Sequence, residues 1–576
     1  MPTREKVVEP VAPGDNVAYL AGPRRLISML AAALGSGLLL TVAYAPLELD
    51  VAAWFALCPI LLAPVSRRWR IRILIGLLFG FTHTVTNLFW LNEVGFGAGV
   101  LLAVYCAVFP AAWYLFSALI TNPPWALRPP HHAADTLRPA QAISRLEASP
   151  LRLMILTLEL AALWVALEWV QSWLFTGFPW NQLAITQWRH TQLLTLTRFT
   201  GVYGLSFVIV AANIGLARVI GDRSGRWIRG EKTGISWPAV TAAAVMCVAL
   251  GITWLAESPP VPDTHLKIIG VQGHIPQCRD FTEEQLDDAL TVYRDLTLAA
   301  AGTPGLDLVV WPESAVPAAL LWDSKAGGVL SEVLSALDCP LLAGSVQYAP
   351  ATNPDDENDF IMFNSALLFS ADDKLVQVYH KIRRVPFGEY VPFGDYLPWL
   401  VTAIGMGRDL TPGKEFTVFD LGRGVHAGVN ICFEDAFPDI SREFTKRGAN
   451  LLITVTNDAW YAESAGSRQH MLHAVFRAVE NARPLFRAGN NSDTCLITPD
   501  GKIHGALVDP VTGNRFVRGF QSYKVPVATE APLTFYTRYG DVFAKLCAAA
   551  AAVSLLRLLV RWLTRKRQLA NLFAAD

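Results

Sequence analysis

Charge is scarce in this chain. Only 17% of its residues are Asp, Glu, Lys or Arg, against 52% hydrophobic ones that include 18 Trp and 29 Phe. Ordinary soluble domains carry about a quarter charged residues, so the composition excludes a purely soluble protein. It indicates a membrane protein, or a membrane half joined to a soluble half. Net charge is lacking too: 48 Lys+Arg against 49 Asp+Glu leave −1, and no basic surplus points to nucleic acid as a partner. The 8 cysteines contain no CxxC pair. Cys58, Cys106, Cys247 and Cys547 lie in apolar stretches, Cys278, Cys339, Cys432 and Cys495 in polar ones, and spacing does not decide a disulfide among the latter. Residues 1–23 lack the apolar core and small-residue cleavage site of a signal peptide and are expected to form a mobile cytoplasmic tail. A length of 576 residues exceeds one compact domain.

Long apolar runs occupy 26–45, 51–65, 71–91, 98–120, 153–173, 201–219, 237–256 and 542–563. A spanning helix needs roughly 20 largely apolar residues, which predicts about eight spans, with 51–65 the shortest. Basic residues alternate between the connections. Arg24 and Arg25 precede the first run, Arg67, Arg68, Arg70 and Arg72 follow the second, Arg145 and Arg152 precede the fifth, Arg218 and Arg223 follow the sixth, and Arg561 and Lys566 close the last. Residues 46–50 and 92–97 carry none. The positive-inside rule then places both termini in the cytoplasm and the segment 257–539 outside. The expected organisation is a tail (1–23), a membrane domain of seven helices (24–256), an outer domain (257–539), an eighth span (540–564) and a cytoplasmic end (565–576). The Pro-, Ala-, His- and Arg-rich insert 122–149 reads as a flexible loop.

The outer segment, about 280 residues, has the size of one α/β domain. Strands are predicted at 266–273, 306–314, 340–349, 424–432 and 450–458, with a hairpin over 363–381, and helices at 282–301, 327–337, 437–447 and 469–483. Strands alternating with helices imply a sheet with helices on its faces. Three residues lie at the ends of predicted strands: Glu313, Lys381 and Cys432. Sites in α/β folds collect at strand ends, and a cysteine nucleophile needs a base and a positive group for the developing oxyanion. Taken singly, each has a plain structural reading, as a strand cap, a surface lysine and a core thiol. Spacing alone does not select them. His470 and His473, three apart on a predicted helix, lack a third metal ligand and read as surface or packing residues.

The motifs "WPES" (311–314), "HKIRRVPFGEYVPF" (380–393), "NICFED" (430–435) and "NDAWY" (457–461) resemble those of the nitrilase superfamily. With "RPLFRAGNNS" (483–492) and "EWVQSWLFTGFPW" (168–180) they are similar to its membrane branch, the apolipoprotein N-acyltransferases. The resemblance implies a polytopic helical membrane domain carrying an αββα sandwich on the outer face of the bacterial inner membrane. It implies Glu313 as general base, Lys381 as oxyanion support and Cys432 as nucleophile, with Glu389 and Glu434 in supporting roles. Phe433 stands where the family commonly has Tyr, and Phe281 where it has Trp. Both keep a ring, and the Phe433 N–H remains available to an oxyanion.

The implied reaction moves an acyl chain from a phospholipid, through a thioester on Cys432, to the α-amino group of the diacylglyceryl-cysteine of an apolipoprotein. It needs no cofactor and no metal, and the enzyme is expected to act as a monomer. Residues 396–407, with Trp399 and Leu400, are expected to gate lipid access, and 316–322 is a second candidate arm. Glu168, an intramembrane acid in a costly and often functional placement, and Phe281 are further candidates for substrate or lipid access. Two rivals remain: a membrane-anchored amidase hydrolysing a small amide, and a transporter or receptor with an outer binding domain. The absence of an internal repeat among the spans weighs against the second.

Overall fold

The computed structural model describes residues 23–66, 68–95, 97–121, 149–229, 234–277, 281–350, 360–404 and 409–573. Residues 1–22 of the tail, all but the last residue of the 122–149 insert, Cys278, residues 405–407 of the expected lipid gate and the side chain of Leu400 lie outside the described residues.

Seven long helices build the membrane domain: Pro23–Val42, Trp69–Asn87, Ala98–Thr121, Pro150–Gln171, Val202–Arg229, Trp237–Leu255 and Val542–Phe573. Among the described residues, six are long and apolar enough to cross a membrane. Trp69–Asn87 falls outside that set because it opens on Arg70 and Arg72 and closes on polar groups that bond its neighbours. His83 Nδ1 lies 3.3 Å from the Thr41 hydroxyl, and the Asn87 amide donates to Asn181 Oδ1 at 2.8 Å. The span expected at 51–65 is not one helix. A 3-10 turn, Asp50–Trp54, and a five-residue helix, Cys58–Leu62, divide it. Pro59 has no N–H to continue a helix, and Asn213 caps the break, accepting from the Leu57 N–H at 2.9 Å and donating to the Ala53 carbonyl at 2.8 Å. Arg557 pairs with Glu159 at 3.3 Å, tying the last helix to Pro150–Gln171.

The rest of the chain folds as two six-stranded sheets. The first runs β12-β1-β2-β3-β4-β5 and the second β11-β10-β9-β8-β7-β6. Their strands are β1 Thr264–Gln272, β2 Leu308–Val310, β3 Leu341–Pro350, β4 Phe360–Phe369, β5 Leu375–His380, β6 Val418–Asp420, β7 His426–Ile431, β8 Leu451–Thr456, β9 Leu485–Gly489, β10 Cys495–Ile497, β11 Ile503–His504 and β12 Gly519–Val527. Period-2 alternation explains the layering. In the first sheet Ile268, Leu308, Val310 and Leu342 join one core with Val429, Ile431 and Ile453 of the second. Their neighbours Ile269, Val309 and Leu341 face the other way, onto Tyr293, Leu330 and Val333 of the helices Glu283–Ala301 and Ser324–Ala336. This is the expected sandwich of sheets between helices. Thr282 starts the first of these helices with a capping box to Gln285.

Both domains meet through the helix Ala465–Asn481. Gln469 on it is a hub: its carbonyl accepts from the indoles of Trp90 and Trp180, each at 3.0 Å, and its amide donates to the Ala45 and Asn87 carbonyls at 3.0 and 3.1 Å. Glu480, near the end of the same helix, accepts the Val202 N–H at 3.0 Å.

Candidate active site

The centre forms where strand ends of the two sheets converge. β7, β8 and β9 are parallel neighbours, with Ile431 abreast of Val455 and Thr456 abreast of Gly489. Cys432 therefore leaves β7 beside the end of β8. It sits at φ +51° at the head of a 3-10 turn, Cys432–Ala436. A left-handed conformation strains a residue with a Cβ, and such strain gathers at active sites. Glu313 arrives from the first sheet, three residues past β2. The backbone there is packed so closely on β3 that a Cβ at Gly344 would lie 2.5 Å from the Glu313 Cα. Gly344→Ala is expected to displace Glu313 and depress activity with little loss of substrate binding, read as a fall in kcat at nearly constant KM.

Lys381, the residue after β5, is fully buried. Its ammonium donates to Glu313 Oε1 at 3.1 Å and to Glu389 Oε1 at 2.8 Å. Burial works against that charge, but Glu313 and Glu389 outweigh it and hold the ammonium well above the ordinary lysine range. The Asn364 amide donates to both carboxylates, at 2.7 and 2.9 Å. Glu313 Oε2 accepts the Asn457 N–H at 3.0 Å, which ties it to the end of β8 beside Cys432. Glu389 Oε2 accepts the Val385 N–H at 2.7 Å, folding its own loop. Burial, then the Glu313 charge, push the Cys432 thiol well above its usual range, against the pull of Lys381. The resting sulfur is thus a neutral thiol that requires a base.

Glu434 is fully buried and has four donors: the Tyr379 hydroxyl at 2.8 Å and the N–H groups of Ile382, Arg383 and Ile431 at 2.7, 3.0 and 2.9 Å. It holds the backbone that follows Lys381 rather than the ammonium. Burial raises it to about 7 even against these donors. Phe433 is buried, and its ring packs on Phe178 and Trp180 of the membrane domain with centroids 5.9 and 6.1 Å apart. Glu168 anchors the loop after Phe178 and Trp180: its carboxylate accepts the Trp164 indole and the Leu183 N–H, each at 2.8 Å. Phe281 packs with the helix-side core of the first sheet.

Phe393 and residues 395–399 are exposed. Trp399 is 66% and Tyr396 84% accessible, and Phe393 meets Phe175 of the membrane domain edge-on, centroids 6.3 Å apart. Within 316–322, Val316 and Leu320 are core while Leu321 and Trp322 are exposed.

Sequence reasoning missed a second cluster. Asp435 and His470 are fully buried, as are Asp458 and Arg487. His470 Nδ1 lies 2.7 Å from Asp458 and Nε2 2.9 Å from Asp435. Arg487 bridges the same acids at 3.1 and 2.5 Å. Two cations offset two anions there. Of the two readings of His470 and His473, surface or packing, the second holds, since both are in the core. Cys432, Asp458 and His470 have ligand atoms close enough to suggest a metal site, but the acids already serve two cations and Arg487 would repel a third. An arginine flanked by apolar residues, as in "LFRAG", signals such a buried ion cluster, although it does not name the partners. Cys339, Cys432 and Cys495 are free thiols.

Burial alone would discharge His470, but Asp435 and Asp458 overcome it, against Arg487, and raise its pKa to about 9. A folded pKa above the unfolded value of 6.5 contributes stability that is complete below pH 6.5 and lost as pH rises through about 9. Thermal midpoints are expected to fall across that window, and less so in His470→Gln.

A buried acid, lysine and cysteine at the ends of sandwiched sheets define an enzyme of the carbon-nitrogen hydrolase class. Residues 271–512 match that family, and residues 36–215 match the apolipoprotein N-acyltransferase N-terminal domain. The apolipoprotein N-acyltransferase of Geobacter metallireducens is 32% identical over 550 residues, covering 92% of this chain and 95% of that one. Apolipoprotein N-acyltransferase 1 of Treponema pallidum is 31% identical over 70% of this chain and 77% of its own length. The protein of that name from Pseudomonas syringae pv. tomato is 29% identical over 82% and 87%. The chain belongs to the apolipoprotein N-acyltransferase family.

Proposed function

We propose that Cys432 carries an acyl chain from a phospholipid to the α-amino group of a diacylglyceryl-cysteine at the N-terminus of an apolipoprotein. The observation that carries this reading is the juxtaposition of Glu313, Lys381 and Cys432 at a site whose wall, Phe178 and Trp180, belongs to the membrane domain. Glu313 takes the thiol proton, and the thiolate attacks the ester carbonyl carbon. The Lys381 ammonium and the Phe433 N–H stabilise the oxyanion. The C–O bond breaks, and the lysophospholipid leaves with the proton held by Glu313. In the second half, the amine nitrogen attacks the thioester, Glu313 takes its proton, the C–S bond breaks and the sulfur is reprotonated. Glu389 keeps the lysine charged and Glu434 fixes the chain around it.

Both substrates are anchored in lipid, which suits a site opening beside membrane helices. The helix ends bearing Arg24, Arg68, Arg152, Arg223 and Arg561 alternate along the chain with ends poor in basic residues, which supports a cytoplasmic basic side and a periplasmic site in the bacterial inner membrane. We assign 257–539 to the catalytic domain and the exposed arm around Trp399 to lipid access. Replacing Leu397, Trp399 and Leu400 by Ser is expected to slow acylation by phospholipid at least tenfold while a water-soluble short-chain ester still acylates Cys432. Equal loss with both donors would contradict the gating role.

The test of the proposed reaction is incubation with phospholipid labelled in its acyl chain. A hydroxylamine-sensitive adduct is expected on the wild type and none on Cys432→Ala. A wild type without adduct would overturn the assignment.

A further inference from the structure

The peptide bond between Cys432 and Phe433 has a carbonyl at one end and the proposed oxyanion donor at the other. A trans peptide is planar, and its C=O and N–H point in opposite directions. His470 Nε2 lies 3.1 Å from the Cys432 carbonyl. We propose that His470 is the positioning residue of the oxyanion site: by donating to the Cys432 carbonyl it fixes the peptide plane and turns the Phe433 N–H away from the helix Ala465–Asn481, towards the reacting carbonyl. The inference rests on Cys432 being the acylated nucleophile.

Three observations support this role. Both ring nitrogens face acceptors, Nδ1 an Asp458 oxygen and Nε2 the Cys432 carbonyl with Asp435 beside it. Such a ring donates from both sides, which requires the imidazolium, and the balance of Asp435 and Asp458 against Arg487 favours that form. A charged donor polarises the amide it grips and strengthens the N–H at the other end. Second, the gripped residue is strained, at φ +51°, so its peptide needs an external hold. Third, the ring is itself fixed. Trp180 of the membrane domain stacks on it at 5.3 Å and 30°, and the same indole stacks on Phe433. One aromatic residue therefore bears on both the positioning histidine and the residue whose N–H it orients. His473, the other imidazole under Trp180 at 5.0 Å, is pushed well below its usual range by burial and by the neighbouring cations, and stays neutral.

Replacing His470 alone would leave two buried acids for one arginine, so charge-balanced pairs are the fair comparison. His470→Gln with Asp458→Asn keeps a donor to the Cys432 carbonyl. His470→Leu with Asp458→Asn removes it. In each, Asp435 and Arg487 remain as one pair. The full-length proteins are assayed in detergent for the single-turnover rate of acylation by labelled phospholipid and for alkylation of Cys432 by iodoacetamide, which needs a thiolate but no oxyanion site. The leucine pair is expected to acylate about 10²-fold more slowly than the glutamine pair, in kcat and not in KM, the effect of losing one oxyanion donor, with equal alkylation rates. Equal acylation rates, or alkylation falling in step with acylation, would overturn the proposal. Should the leucine pair fail to fold, His470→Ala with Asp458→Asn, equally charge-balanced and without a donor, takes its place against the glutamine pair, with the same two outcomes. Absence of adduct on the wild type would instead remove the assignment of Cys432.

Discussion

Glu313→Gln is expected to lower single-turnover acylation of Cys432 by about 10³-fold or more, near the upper end of what one general base contributes. The geometry leaves glutamine no harmless orientation. One carboxylate oxygen accepts from the Lys381 ammonium and the Asn364 amide, the other from the Asn457 N–H. An amide places its NH2 against donors on one side or the other. The thiol, raised by burial and then by the Glu313 charge, would lose the group that takes its proton, and the leaving alcohol would lose its proton source. Substrate binding should change little, because the Glu313 carboxylate is buried and bonded to protein groups. The measurement is adduct formation after rapid mixing, with iodoacetamide alkylation in parallel. Alkylation should also slow, since it too needs the thiolate. Glu313→Gln that acylates at the wild-type rate would remove Glu313 from the base role.

Glu434→Leu is expected to cause the largest loss of stability among single substitutions at the site. Its carboxylate accepts from Tyr379, Ile382, Arg383 and Ile431. Leucine fills much of the space and accepts nothing. Each buried donor left without a partner costs about 1–3 kcal/mol, so three backbone N–H groups and a phenol together predict about 4 kcal/mol or more, in the range that single substitutions seldom reach. Because Ile382 and Arg383 follow Lys381 directly, activity should vanish with the fold of that segment. Thermal unfolding in detergent checks the prediction. A midpoint equal to that of the wild type would mean that the segment is held by other contacts.

The parts of the fold written in local pattern were legible. "LKIIGVQG" and "NLLITVTND" are continuous apolar runs closed by polar turns, and they form β1 and β8. The hairpin over 363–381 forms as β4 and β5 around its Asp372–Asp373 turn. β9, β10 and β12 were not legible. Arg487 interrupts β9 with a charge that belongs inside only because Asp435 and Asp458 meet it there. β12 carries Gln521, Lys524 and Pro526, yet pairs with β1 over nine residues. The break within the span expected at 51–65 was not legible because hydropathy does not register that Asn213, far along the chain, can cap a broken helix.

At the site, strand ends made Glu313, Lys381 and Cys432 candidates, and the motifs singled them out. Their mutual distances, and the buried neighbour that sets the Cys432 carbonyl, depend on contacts across two sheets. Asp435 is the clearest case, since its partners lie about fifty residues away at Arg487 and at His470 on the helix Ala465–Asn481. Glu168, expected near lipid, proves to anchor the loop that brings Phe178 and Trp180 onto Phe433.

The central claim is acyl transfer to an amine through Cys432. The direct measurement is a chase: load the wild type with labelled acyl chain from phospholipid, remove free lipid, and add a diacylglyceryl-cysteinyl peptide with a free α-amino group. Label should leave Cys432 and appear on the peptide in a hydroxylamine-resistant amide, while an N-blocked peptide leaves the adduct in place. Label released as free fatty acid at the same rate with or without the amine would contradict it.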